Sequence, residues 1–174
     1  NANSKFNLSN LKFIKDDYKN IQGQFDIITM EGVMEHFDDP WLELKNIMDL
    51  ISSDGCVITS SPSFLNPRGY VWMTLVKLFN IPMSLTDLHF ISPFDMENFC
   101  NKYKYKLDYK PVYQEWGCGK MMLVDFNKRL KNALGDAGLE SAGVSDLLDW
   151  LTCAIPYFER NNHTGAVTVY KIEK

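Results

Sequence analysis

The chain has 174 residues, 45% of them apolar, 23% charged and 13% aromatic, which suits one folded domain with a sizeable core and excludes disorder and collagen-like repetition. Its 18 basic and 22 acidic residues give a net charge of -4, which argues against a nucleic-acid partner held by phosphate contacts and suits a cationic ligand better. Lys77, Asp87 and Glu97 interrupt the richest apolar region, 70–100, so no run reaches the roughly 20 residues of a membrane span.

The opening residues Asn1-Ala2-Asn3-Ser4-Lys5 carry neither an initiating Met nor a signal segment, so we expect a beginning to be missing. After a polar, helix-prone start, Leu11-Lys12-Phe13-Ile14-Lys15 reads as a short strand ending in the turn chemistry of Asp16-Asp17. Phe25-Asp26-Ile27-Ile28-Thr29-Met30 is a β-branched run of the kind buried on both faces of a parallel sheet. Asp38-Asp39-Pro40 starts a helix with an acidic cap and a Pro where its missing N–H costs nothing. Trp41, Leu44, Ile47, Met48 and Ile51 form its apolar stripe, and Ser53-Asp54-Gly55 reads as its end, with Gly55 at C′. Cys56-Val57-Ile58-Thr59-Ser60 is the next strand, completing a βαβ unit whose functional loops should leave near Met30 and Ser61.

The aromatic and Met-rich stretch after Asn66-Pro67-Arg68-Gly69 is too apolar for an idle loop, and residues 62–91 read as a helical lid over the strand ends. Ser92-Pro93-Phe94-Asp95 resembles a capping box and predicts a helix to about Tyr103. From Lys104 to Tyr113 the pattern alternates: Tyr105, Leu107 and Tyr109 fall on one face, and Lys104, Lys106, Asp108 and Lys110 on the other. Lysines on a solvent face are how an edge strand discourages stray pairing, which is the better reading than nucleic-acid binding. A helical insertion over 119–160, in two segments parted at Gly135-Asp136-Ala137-Gly138, precedes a last strand, Ala166-Val167-Thr168-Val169-Tyr170-Lys171-Ile172. Cys56, Cys100, Cys118 and Cys153 show no metal or redox spacing. They read as free, mostly buried thiols, which favours the cytoplasm. The sequons at Asn7 and Asn162 fit chance occurrence in an Asn-rich chain.

The stretch FDIITMEGVMEHFDDPWLELKNIMDLISSDGCVITSSPS resembles the type 11 group of class I S-adenosylmethionine-dependent methyltransferases, with an "FD" strand, an "EH" turn, a "DP" helix and a Gly-led strand ending near Pro. The match runs from about Leu11 to Tyr109, and NPRGYVWM and SLTDLHFISPFD bring the sugar and surface-polysaccharide enzymes nearest. The resemblance implies a Rossmann-like three-layer α/β/α sandwich, a mostly parallel sheet in the order 3-2-1-4-5-7-6 with its last strand antiparallel. On that order residues 11–15 would be the third strand, 25–30 the fourth, 56–60 the fifth, 106–113 the sixth and 166–172 the seventh. The first and second strands have no counterpart, and neither does the glycine-rich loop; Gly117-Cys118-Gly119 lies too late in the chain for it. The resemblance therefore implies that this is the C-terminal part of the fold, N-terminally incomplete by roughly a hundred residues, a size taken from the family and from ordinary domain dimensions.

The cofactor implied is S-adenosylmethionine and the partner a small-molecule methyl acceptor, with no membrane and no nucleic acid; homodimerisation stays open. Asp17 and Tyr18 match the positions that reach the adenine, with Asp16 as the one-residue-shift alternative and an ordinary turn Asp as the plainer reading. Met30, Glu31 and Val33 sit where the family passes the sulfonium, whereas Asp26 within the strand reads as structural. Glu35-His36 is the candidate catalytic pair: the resemblance places His36 beside the methyl acceptor as the base, a task that suits an imidazole titrating near pH ~6.5, and a loop-orienting or capping His is the alternative. A metal is not expected, because Gly32 stands where a quinone-pathway enzyme would place its first Glu ligand. His89, Tyr70 and Trp72 are candidate acceptor-pocket residues, with Arg68 beside them, and core packing is the competing reading for each. His163 reads as inert. A non-catalytic module associating through its sheet edge or lid is the rival function, and a nicotinamide-dependent enzyme lacks its fingerprint.

Overall fold

The structure is a computed structural model and describes residues 5–6, 8–83, 87–161 and 164–174. His163, Asn7 and Asn162 lie outside these residues. Strands β1 (Phe25–Glu31), β2 (Ile51–Pro62), β3 (Lys106–Val112) and β4 (Val167–Glu173) form one sheet in the order β1-β2-β4-β3. β1 and β2 run parallel, and β4 is antiparallel to both its neighbours. This is the expected 4-5-7-6 portion of the order, with the Lys-bearing β3 at one edge.

Helix α1 (Pro40–Asp49) begins where the Asp39 carboxylate accepts from the backbone N–H groups of Trp41 and Leu42, at 3.2 and 3.0 Å. Its stripe buries Leu44, Ile47 and Met48. The stop differs from expectation: α1 ends at Asp49, and Ser53-Asp54-Gly55 lies inside β2. Register explains this, because Phe25 pairs with Ile51 but Ile27 with Cys56, so β2 bulges against β1. A Cβ at Gly55 would stand 2.9 Å from the carbonyl oxygens of Phe25 and Asp26, so the glycine permits close backbone approach rather than capping the helix.

Residues 11–15 form no strand, and Leu11, Phe13 and Ile14 are exposed. A strand exists only through its ladder, and the partner that the expected order gives these residues is the second strand, which has no counterpart here. β1 is likewise more open than its composition predicts, with Ile27 60% exposed. Ile28 and Met30 pack on the core, while no strand among the described residues covers the outer edge of β1.

Two cores result. The first joins β1, β2 and β4 to α1 and α3 (Pro93–Tyr103) through Met30, Leu44, Met48, Val57, Met96 and Ile172. The second lies among helices α2 (Pro67–Phe79), α5 (Lys120–Asp136) and α6 (Val144–Ala154), and packs Trp72, Met122, Phe126, Leu130 and Leu151. A short helix, α4 (Glu115–Cys118), precedes α5. The stretch read as a lid and the helical insertion thus share one interior. Cys56, Cys100 and Cys118 are buried free thiols and Cys153 is exposed. No helix among the described residues is long and apolar enough to cross a membrane.

Candidate active site

β1 delivers its carboxyl end, Met30-Glu31, to a sharp turn. Gly32 takes φ +60, a left-handed conformation that a side chain would strain, and its N–H still reaches the Ser60 carbonyl at 3.0 Å. A 3-10 turn, Met34–His36, follows. Met34, fully buried, anchors it, and Glu35 is 4% exposed, while His36 faces solvent.

An apolar groove of about 460 Å³ runs along β1 and is lined by Tyr18, Met30, Glu31, Val33 and Phe37 among others. Four of the five residues expected at the cofactor therefore meet in one cavity. Asp17, the fifth, caps the 3-10 turn Tyr18–Asn20, its Oδ1 accepting from Lys19 N–H at 3.0 Å. The plainer reading of that carboxylate accounts for this oxygen. Asp16 is equally local, its Oδ1 accepting from the Asp17 N–H and the Asn20 side chain, each at 2.8 Å. Lys19 ties the turn to α1 through Glu43 at 2.8 Å, which holds Tyr18 against the groove.

Beyond the turn, residues 87–89 fold back onto it. The Glu35 carbonyl accepts from the N–H groups of Leu88 and His89 at 2.8 and 3.2 Å. His36 Nδ1 lies 3.7 Å from Asp87 Oδ1, an ion pair whenever the imidazole is protonated. His89 Nε2 meets the Asp38 carbonyl at 3.1 Å. The structure thus brings Glu35, His36 and His89 together and adds Asp87, which sequence reasoning treated only as a charge breaking an apolar region. Burial is the main cause pushing the Glu35 carboxyl above its ordinary value, and Asp87 adds to it. A hydrogen bond to its backbone, the His36 charge and the neighbouring Ser61 hydroxyl oppose the shift. No cluster of metal-ligating side chains occurs among the described residues.

The remaining candidates separate. Trp72 is fully buried in the second core, where its indole N–H donates to Asp125 at 3.0 Å, so it is packed rather than presented to a ligand. Arg68 Nε binds the same carboxylate at 2.7 Å, and Arg129 Nη1 binds it at 3.1 Å. Burial works against ionising Asp125, but Arg68, Trp72 and Arg129 outweigh it and hold the carboxyl below its ordinary range. Tyr70 is 59% exposed on the outer side of α2.

No protein-family model matches the chain, and no curated protein matches it significantly. Solved structures do share its architecture. A cyclopropane-fatty-acyl-phospholipid synthase-like protein from Lactobacillus casei superposes with a TM-score of 0.53 at 12% identity, covering 87% of this chain and 57% of its own. Coclaurine N-methyltransferase, bound to N-methylheliamine and SAH, gives 0.50 at 16% identity, covering 99% and 56%. A protein of Anabaena variabilis, described as a methyltransferase from an antibiotic biosynthesis pathway, gives 0.50 at 10% identity, covering 95% and 74%. The chain spans little more than half the length of the first two. At these identities the likeness establishes the fold, a Rossmann-like class I methyltransferase fold.

Proposed function

We propose that the protein is an S-adenosylmethionine-dependent methyltransferase acting on a small molecule, of which a sugar or surface-polysaccharide precursor is the nearest class. The observation that carries this reading is the groove along β1, which gathers Tyr18, Met30, Glu31 and Val33 and ends at the turn bearing Glu35 and His36. Its carboxyl end, beside Tyr18 and Val33, offers apolar walls to an adenosyl group, and the exposed Glu31 there suits a cation. When bound, S-adenosylmethionine supplies a methyl group already activated on sulfur.

The residues of this chain then have separable tasks. Tyr18, Ile28 and Val33 exclude water from one wall of the groove, and the Met30-Glu31 backbone defines its end. His36, solvent-facing and beside Asp87, can take a proton from an acceptor hydroxyl or amine, and Asp87 stabilises the imidazolium that results. Glu35 is too buried to touch an acceptor freely, so its part is to hold the turn.

Calorimetry on the full gene product tests the cofactor: S-adenosylmethionine and S-adenosylhomocysteine should both bind, and no nucleotide binding would favour a non-catalytic module. His36→Ala should cut turnover about 100-fold or more while leaving cofactor affinity unchanged. Unchanged turnover would reject the base.

A further inference from the structure

Helix α2 ends beside a second cleft, separate from the groove along β1. Asn80 follows the helix at φ 54, and the Ile81 N–H returns to the Leu75 carbonyl at 3.3 Å, a left-handed stop that reverses the chain. The turn buries Ile81 fully and leaves Met83 6% exposed. Between this turn and residues 87–90 lies a cleft of about 260 Å³ whose apolar lining includes Val76, Ile81, Met83, Leu88 and Phe90. Among the described residues that line it, only Asp87 is charged.

The two walls of the cleft belong to different parts of the molecule. Arg129, which also binds Asp125, donates through Nη2 to the Met83 carbonyl and ties one wall to the helical core. The other wall is fastened to the candidate active-site turn, because the Leu88 N–H reaches the Glu35 carbonyl at 2.8 Å and Asp87 Oδ1 stands 3.7 Å from His36 Nδ1. Phe90 is held edge-on against Phe64, with ring centroids 5.0 Å apart. Each wall is thus fixed by contacts made outside the cleft, and Asp87 is shared between the cleft and the His36 pair.

A cavity of about 150 Å³ lined by apolar side chains takes a benzene molecule, so this cleft has room for one ring with a short substituent. An apolar group gains by leaving water for such a lining, whereas the hydroxyls of a bare sugar lose hydrogen bonds there. We propose that the cleft is the acceptor subsite: it seats an apolar group of about one ring carried by the methyl acceptor, and Asp87 in its wall directs the acceptor's hydroxyl or amine towards His36. The role rests on the methyltransferase reading, and it narrows the acceptor to a molecule that bears an apolar group.

Titration of the methyl-labelled full gene product with benzyl alcohol, in the absence of cofactor, tests the cleft. The Val76, Ile81 and Met83 methyl resonances should shift saturably at about millimolar affinity, and methyl glucoside should leave them in place. No shift at these methyls, or equal shifts with methyl glucoside, would overturn the proposal. Val76→Phe fills the cleft from α2 and should weaken binding at least about tenfold. Leu88→Trp, at a position 52% exposed, gives the same reading should Val76→Phe fail to fold. Unweakened binding in a folded variant rejects the site. Titration with n-butanol tells a ring from a chain, the tighter ligand naming the apolar group. The directing role is read by nuclear Overhauser effects: the methylene of bound benzyl alcohol should contact the His36 ring, and contacts from its aromatic protons alone would overturn that role. Calorimetry with S-adenosylmethionine is read separately. Cofactor binding with an empty cleft sinks the subsite alone, whereas a filled cleft without cofactor binding sinks the methyltransferase reading and the acceptor role with it.

Discussion

The two cores handle buried polarity in opposite ways. In the helical core one carboxylate, Asp125, is 6% exposed and collects Arg68, Trp72 and Arg129, so each of its oxygens is paired. In the sheet core the buried side chains of Thr59, Ser61, Thr168 and Tyr170 form no comparable ionic cluster among the described residues, next to the turn that carries the candidate chemistry. A fully paired cluster rigidifies what surrounds it, whereas a buried polar group without a partner carries a desolvation cost. The helical unit is thus the more fully paired of the two, and the carboxyl end of β1 carries the proposed chemistry.

The sharpest break of this contrast is Asp125→Ala. It leaves the part-buried Arg68 guanidinium and the Trp72 indole unpaired, and should cost about 3–5 kcal/mol, read by urea denaturation. A loss near zero would mean the helical core stands without its ionic centre. Met34→Ala comes next, at about 2–5 kcal/mol, because it empties a fully buried site under the Glu35-His36 turn. Turnover should fall further than stability alone explains, since the turn itself loosens.

The pH profiles should diverge too. Asp125 is held low in the folded state, so its contribution is present above the ordinary carboxylate range and is lost as acid takes the pH down through its lowered value. Glu35 is held high, so its contribution is complete below the ordinary Glu value and is lost as the pH rises through its raised one. Thermal scans of Asp125→Asn should lose the acid-side dependence, and scans of Glu35→Gln the dependence on rising pH. The smallest effect belongs to the sheet edge: Lys106, 78% exposed and 2.8 Å from Glu173, should tolerate Ala with no measurable change in melting temperature.

What the sequence made legible follows the range of the forces involved. Asp39-Pro40 and the Ser92–Asp95 capping box are local chemistry, and each lies where it was expected, whereas the strand expected from Lys104 begins at Lys106 because Lys104 ends α3 in a left-handed conformation. Residues 11–15 have strand composition but no ladder, and Gly55 sits at a helix-stop position but serves a bulge; both depend on a neighbouring strand that local pattern does not report. The site divides the same way. Met30, Glu31 and Val33 are adjacent in sequence and share a groove, whereas Asp87 reaches His36 across fifty residues and carried no local signal beyond being an acid near His89. Trp72 misled because an aromatic beside Tyr70 reads the same whether it faces a ligand or a buried aspartate.

Asn66 joins the two cores. Its side-chain amide donates to the carbonyls of Ser63 and Gly165 at 2.8 and 2.9 Å, and its oxygen caps α2 at Gly69 N–H, 2.8 Å away. An acid in its place would lose both donated bonds, so spontaneous deamidation here would unfasten the helical unit from the sheet. The cyclisation that ages asparagine requires the next residue's backbone N–H, and the next residue is Pro67, which has none. The same proline that starts α2 therefore shields this asparagine from chemical ageing.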